Sequence, residues 1–377
     1  MSQRRENSAG HHGAATREAT RWPGSGARVA SSAMAFPEHV YRQEEISAAF
    51  VEEILSPGDS RRRAAQRISG NSGVRTRHFA VPIERLRRLA DFTEANEAYL
   101  ASALELGEQA VRRALAVAGI APEEVDLVVS TTVTGLAVPS LEARLAQRLG
   151  LREDVKRIPM FGLGCVAGAA GIARVHDYLL AWPDQVAILL SVELCSLTLQ
   201  RGDASAANIV GSSLFGDGAA AVVLTGSACE IEHPGPTVIA TRSRLYPDSE
   251  AVMGWDIGAD GFRLVLSTDV PAIAREFLSK DVVAFLSDHG LTTGDIAHWI
   301  CHPGGPKVIE AVRDSLDLAP DALRHTVASL AANGNLSSAS VLDVLRRTIA
   351  EAPAPGSFAV LLAMGPGFCS ELVLLRW

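Results

Sequence analysis

The chain repeats itself, and that repeat limits the available folds more than composition does. Gly119-Ile-Ala-Pro-Glu-Glu-Val125 and the apolar run Asp126-Leu-Val-Val-Ser-Thr131 follow a helical pattern; Gly290-Leu-Thr-Thr-Gly-Asp-Ile296 and Ala297-His-Trp-Ile-Cys-His302 return in the same setting, with Gly119 and Gly290 171 positions apart. Gly164-Cys-Val-Ala-Gly-Ala-Ala-Gly-Ile172 is echoed by Gly334-Asn-Leu-Ser-Ser-Ala-Ser-Val-Leu342, with Cys165 and Asn335 170 apart. Gly216-Asp-Gly-Ala-Ala-Ala-Val-Val-Leu-Thr225 is echoed 149 positions on by Gly365-Pro-Gly-Phe-Cys-Ser-Glu-Leu-Val-Leu-Leu375. Three elements recurring in one order imply a duplicated α/β unit, and so two similar lobes about a pseudo-twofold axis. The expected division is an extension over 1–27, a first lobe over 28–228 and a second over 229–377.

Hydrophobic periodicity fills in the elements. The pattern predicts a strand over 28–40, helices over 44–54 and 94–120, a strand over 125–132 and a helix over 140–149. A strand over 186–194, a helix over 206–214 and a strand out of Phe215 follow. In the second lobe it predicts a helix over 270–289. Cys165 and Asn335 each begin a helix in this reading. Residues 1–27 are polar, Gly/Ser-rich and aperiodic, as in a disordered extension; the His11-His12 pair within them carries no inferred function.

Composition removes several function classes. With 47% hydrophobic residues and 377 in all, the chain has ample core for two lobes. A net charge of −8 argues against nonspecific nucleic-acid binding. The five cysteines, 165, 195, 229, 301 and 369, show no CxxC spacing, so neither a disulfide framework nor a zinc site is expected and a cytoplasmic location fits. No apolar stretch is long enough to span a membrane, and the first thirty residues lack the apolar run of a signal peptide.

The repeat carries a chemical consequence. Equivalent positions in two such lobes face each other, so Cys165 and Asn335 converge, and His302 ends a strand beside the turn Pro303-Gly-Gly-Pro306. A cysteine at a helix start is in a field that favours its thiolate, and a nearby histidine would reinforce that. Imidazole and carboxamide are also two donors for an oxyanion or enolate. Taken singly, Cys165 is as well read as an inert buried thiol, His302 as a structural histidine and Asn335 as a helix cap. The basic segment 61–67 is either a solvated face or a phosphate-binding rim.

Gly164-Cys165, Leu214-Phe-Gly-Asp-Gly-Ala-Ala-Ala221, His302-Pro-Gly-Gly-Pro306, Gly334-Asn-Leu-Ser-Ser-Ala339 and Gly365-Pro-Gly367 together resemble type III polyketide synthases, the chalcone synthase superfamily. The likeness runs from about residue 28 to the C-terminus. It implies a thiolase-like αβαβα fold, a homodimer, and acyl-CoA and malonyl-CoA as substrates with no further cofactor and no metal. By that resemblance Cys165 is the acyl-carrying nucleophile, His302 and Asn335 polarise the thioester and stabilise the enolate, and Phe215 is the gate that helps expel the malonyl carboxylate. Cys195, Thr198 and Ser337 would line the pocket, Arg67 would meet CoA phosphates, and Val138 would stand where the family reaches into its partner. Ala363-Met364 replaces the usual Gly-Phe of the closing loop.

The C-terminal run Met364-Gly-Pro-Gly-Phe-Cys-Ser-Glu-Leu-Val-Leu-Leu375 looks most like bacterial enzymes making alkylresorcinols or alkylpyrones from fatty acyl-CoA starters, with two or three malonyl extensions. A synthase making tetrahydroxynaphthalene from malonyl-CoA alone is the alternative within the family. Outside it stand a single-extension β-ketoacyl synthase III type, a Cys-His-Asn thioester hydrolase and a non-catalytic binding protein.

Overall fold

Val186–Leu194 (β6) and Asp217–Thr225 (β7) are buried at every residue, as strands covered on both faces must be. They form the centre of a half-sheet in a computed structural model that describes residues 26–231 and 234–377. The predicted extension, with His11 and His12, lies outside the described residues except for its last two positions.

The remaining strands are β1 (Arg28–Ala35), β2 (His39–Arg42), β3 (Thr76–Phe79), β4 (Leu127–Thr131), β5 (Lys156–Met160), β8 (Thr237–Leu245), β9 (Met253–Gly258), β10 (Gly261–Leu266), β11 (Ile296–Cys301), β12 (Phe358–Gly365) and β13 (Cys369–Arg376). Nine of the thirteen share one sheet, in the order β5-β4-β6-β7-β1-β8-β13-β12-β11. The duplication is visible in the pairing. β4 runs parallel to β6, β6 antiparallel to β7 and β7 antiparallel to β1. In the same senses β11 pairs with β12, β12 with β13 and β13 with β8. The two halves meet where β1 and β8 share a single residue pair, Arg28 with Thr237.

Helices complete a layered, thiolase-like arrangement. The Phe92–Ala118 helix covers β1, β6 and β7 on the outside of the first half. The Ser279–Asp288 and Pro306–Ser315 helices cover the second half through a core containing Phe285, Val312 and Leu374. Between the half-sheets lie the Ala167–Ala181 and Ser338–Ile349 helices, in one apolar cluster that includes Val166, Leu189, Val341 and Leu361. Their contact is close: a Cβ on Gly168 would lie 2.3 Å from the Ser338 carbonyl oxygen. The small residues after Cys165 serve this approach.

Three predicted elements differ. The first strand ends at Ala35, and β2 leaves the main sheet to pair with β3. The helix expected over 270–289 is interrupted by a π-type turn at Ala274–Leu278. Asn335 does not begin a helix: Gly334 (φ +73°) and Ser337 (φ +49°) break the chain's path, and the helix starts at Ser338.

Candidate active site

Cys165 sits in the single turn Gly164–Val166 that leads into the Ala167–Ala181 helix. Gly164 is in the left-handed region (φ +55°), and Pro366 of the β12–β13 connection packs where its Cβ would be, 2.8 Å away. The thiol of Cys165 donates to the Ser337 hydroxyl at 3.8 Å. The Ser337 N–H in turn donates to Asn335 Oδ1 at 2.8 Å, which leaves the Asn335 NH2 as the group available to a ligand.

Asn335 is tied to the neighbouring Phe215 segment by backbone. The Asn335 N–H donates to the Leu214 carbonyl at 2.8 Å, and the Gly216 N–H to the Asn335 carbonyl at 3.0 Å, a bridge that sets Phe215 opposite Asn335. Phe215 itself is half-buried at the end of the Ala206–Leu214 helix. His302 follows β11, anchored by its N–H to the Leu362 carbonyl at 2.9 Å, and the Gly305 of its loop lies against Leu214. Contacts therefore link Cys165, Ser337, Asn335 and Phe215, and the loop of His302 closes on the same segment.

The electrostatics correct one expectation. Burial pushes the Cys165 thiol up to about 12, opposed by the Ser337 hydrogen bond, and burial pulls His302 down to about 3. Burial thus favours thiol and neutral imidazole, against the helix field that favours a thiolate. Both imidazole nitrogens are buried without a hydrogen-bond partner among the described residues. Buried polar atoms are rarely left so, and a ring with two open nitrogens is poised for an oxygen or sulfur brought by a substrate.

Cys195 and Thr198 lie in the buried turn Cys195–Thr198 after β6. Cys195 is pushed well up by burial and by the charges of Glu193 and Asp217. Thr198 forms part of the wall of a cleft of about 500 Å³, with Leu86, Phe92, Leu197, Leu199 and Phe262. Arg67 is exposed on the Arg62–Gly70 helix, away from these contacts. Val138 is 94% exposed beside a cis peptide to Pro139, so this chain's own pocket does not include it. Among the described residues no cluster of His, Cys, Asp or Glu is set to hold a metal.

Sequence reasoning gave Glu193 no role. It is fully buried, accepting from Ser338 Oγ, Thr134 Oγ1 (2.9 Å) and the Val133 N–H (3.1 Å), and burial raises its pKa. Its signal was a lone carboxylate in an otherwise apolar strand run. Arg77 was missed as well; in β3 it alternates with Phe79 toward the inside, which a period of two would have exposed.

A buried cysteine, a histidine with open ring nitrogens and a carboxamide on a duplicated layered fold fit an acyl-transfer enzyme of the thiolase-like class. The chain belongs to the chalcone and stilbene synthase family: the model of the N-terminal domain of chalcone and stilbene synthases matches residues 15–228 and that of the C-terminal domain residues 237–377. It is accordingly a type III polyketide synthase, an acyltransferase. It is 53% identical over 354 residues to the 1,3,6,8-tetrahydroxynaphthalene synthase of Streptomyces peucetius subsp. caesius, covering 93% of each chain. A putative chalcone synthase of Bacillus subtilis is 38% identical over 81% of this chain and 87% of its own. The solved structure of the tetrahydroxynaphthalene synthase of Streptomyces coelicolor A3(2) superposes with a TM-score of 0.88 at 32% identity, covering 93% of this chain and 99% of that one.

Proposed function

We propose that the enzyme builds 1,3,6,8-tetrahydroxynaphthalene from malonyl-CoA alone. The observation that carries this reading is the 53% identity, across 93% of both chains, to a synthase of that product. It takes the place of the alkylresorcinol expectation, which rested on the short run at Met364–Leu375.

In the proposed reaction a malonyl-CoA acylates Cys165: the new C–S bond forms as the CoA thiolate leaves, and the thiol proton passes to it. His302, neutral and with open ring nitrogens, and the Asn335 NH2 donate to the thioester carbonyl of the next malonyl-CoA. Its carboxylate leaves as CO2 beside Phe215, the electron pair of the broken C–C bond forms the enolate, and this attacks the Cys165 thioester with loss of the Cys165 sulfur. Five malonyl units, each losing one CO2, supply the ten ring carbons of the product. Cys195, Thr198 and Ser337 line the path of the growing chain in this reading, and Arg67 meets the CoA phosphates.

We also propose a homodimer in the cytoplasm. β5 is an edge strand exposed over most of its length, and Ile158 within it, Phe161 just after it and Val138 are exposed apolar side chains suited to a second copy. Among the described residues no helix is long and apolar enough to cross a membrane.

The long-chain reading keeps one observation in its favour, the apolar stretch of Leu86, Phe92, Leu197, Leu199 and Phe262 in the otherwise mixed wall of the cleft beside Thr198. One assay separates the two. Purified enzyme receives malonyl-CoA alone, and then with acyl-CoA starters of increasing length, with products identified by mass spectrometry. Tetrahydroxynaphthalene without a starter supports the proposal. Products only with long starters restore the alkylresorcinol reading, a single extension points to the β-ketoacyl synthase type, and free acid alone points to a hydrolase.

A further inference from the structure

Beneath the Phe215–Asn335 bridge lies a guanidinium that the chemistry above does not use. Arg77 is 1% exposed. Its Nη1 donates to the Ser212 carbonyl at 2.8 Å and to the Phe215 carbonyl at 2.6 Å, and its Nε to Gln43 Oε1 at 3.1 Å. Its methylenes occupy the space opposite two glycines, one on each strand of the bridge. A Cβ on Gly334 would lie 2.9 Å from Arg77 Cδ, and one on Gly216 3.5 Å from Arg77 Cγ. Gln43 holds the guanidinium in turn: its Nε2 donates to the Ser213 carbonyl at 2.8 Å, to Ser69 Oγ at 2.9 Å and to Ser72 Oγ at 3.2 Å. One side chain thus grips the segment bearing the gate and abuts the segment bearing the donor amide. A second ties that grip to the end of the basic Arg62–Gly70 helix.

A buried arginine is a costly way to hold two carbonyls if shape alone mattered, because its charge must be taken out of water. It gives what an apolar residue lacks: Nη1 makes two directed bonds that fix where the turn's carbonyls point while Nε is held by Gln43, and Nη2 is buried without a partner among the described residues. Asp217, two residues beyond Phe215, lies in the same field; it accepts from the Ser196 and Ala80 N–H groups at 2.7 Å and is not bonded to Arg77, so the guanidinium is left to the gate segment.

We propose that Arg77, held by Gln43, is a positioning residue that sets the Phe215 ring and the Asn335 amide in register for malonyl decarboxylation. Displacements of an ångström at such a site change rates on the order of a hundredfold, so the clamp bears on kcat far more than on binding. The inference rests on the roles proposed above for Phe215 and Asn335.

The test compares wild type with Arg77→Met, Arg77→Lys and Gln43→Met in the full-length enzyme. Three quantities are read: amide hydrogen exchange at Gly216 and Asn335, kcat and KM for CO2 release from malonyl-CoA, and the rate of Cys165 alkylation. In Arg77→Met the two amides exchange roughly tenfold faster or more, kcat falls by a similar factor or more, KM stays within about threefold, and Cys165 alkylates at the wild-type rate. Arg77→Lys, which keeps a charged donor, recovers part of both losses, and Gln43→Met shows smaller losses in the same direction. Unchanged exchange and kcat in folded Arg77→Met overturn the proposal. So does a kcat loss matched by an equal loss of Cys165 alkylation, which would mark a general collapse. Should Arg77→Met fail to fold, wild-type exchange and kcat in both other variants overturn it equally. A wild-type enzyme that releases no CO2 would instead remove the roles of Phe215 and Asn335, while the exchange readout would still report on the clamp.

Discussion

The Ser337 hydroxyl accepts the Cys165 thiol proton at 3.8 Å, and Ser337 does so from a backbone conformation, φ +49° and ψ −126°, that side chains seldom adopt. The residue that touches the nucleophile is the strained one, a combination typical of functional positions. Removing the hydroxyl in two ways isolates the strain. Ser337→Gly should be more stable than Ser337→Ala by about 1 kcal/mol, the relief of an unfavourable φ less the entropy glycine loses on folding. Chemical denaturation of the two variants checks this; equal stabilities would mean the conformation carries no strain.

Cys165→Ala should lose all condensation while continuing to release CO2 from malonyl-CoA, because His302 and Asn335 remain to stabilise the enolate. Radiolabelled CO2 counted beside product gives the answer. Naphthalene formation by this variant would exclude Cys165 as the acyl carrier.

Burial raises the thiol of Cys165 to about 12 and lowers His302 to about 3, which favours the neutral pair over a thiolate–imidazolium pair in the free enzyme. Iodoacetamide should label Cys165 slowly at pH 7 and roughly tenfold faster for each unit up to pH 9, following the thiolate fraction. A rate independent of pH over that range would indicate an ion pair and contradict the neutral site.

His302 also marks the acid limit of stability. Its folded pKa lies below the ordinary 6.5, so between about pH 3 and 6.5 the unfolded chain binds a proton that the folded chain does not, and stability falls as pH drops through this window. Relative to wild type, His302→Gln should gain about 2 kcal/mol between pH 7 and pH 5, seen in parallel thermal melts. Its decarboxylation rate should fall about a hundredfold or more with the lost donor. A constant stability gap across pH would show that His302 titrates normally.

Gly168→Ala tests the central layer. The new methyl would meet the Ser338 carbonyl oxygen at 2.3 Å and Val341 Cγ1 at 2.7 Å, forcing apart the two helices that follow Cys165 and Asn335. A loss of about 1–3 kcal/mol is expected, with reduced activity even where the protein folds. Wild-type stability and turnover would mean the helices have room that the structure does not show.

Much of this was legible beforehand, and the exceptions share a cause. β6 at Val186–Leu194 and the helix at Ala206–Leu214 fall where apolar runs and periodicity placed them, because both are governed by local pattern. Asn335 was placed at a helix start because Leu-Ser-Ser-Ala reads as one, whereas its actual position depends on backbone pairing with Leu214 and Gly216, more than a hundred residues away. The Arg77 clamp was invisible for the same reason: its partners Gln43 on one side and Ser212 and Phe215 on the other come from two segments far from it in the chain. The charge state of Cys165 required knowing how deeply the turn is buried. The face on which Arg77 lies could have been inferred from Phe79.

The half-sheets touch through one residue pair, yet the helices after Cys165 and Asn335 share a single core cluster. Neither half would therefore keep its inner helix covered if made alone. Expressed as separate polypeptides, the halves would gain activity only on mixing, with a second-order dependence on their concentrations. Cys165 and Asn335, the proposed nucleophile and donor amide, belong to different copies of the repeated unit, so under that proposal a half-made chain emerging from the ribosome holds a thiol but no means of generating the carbanion it would meet.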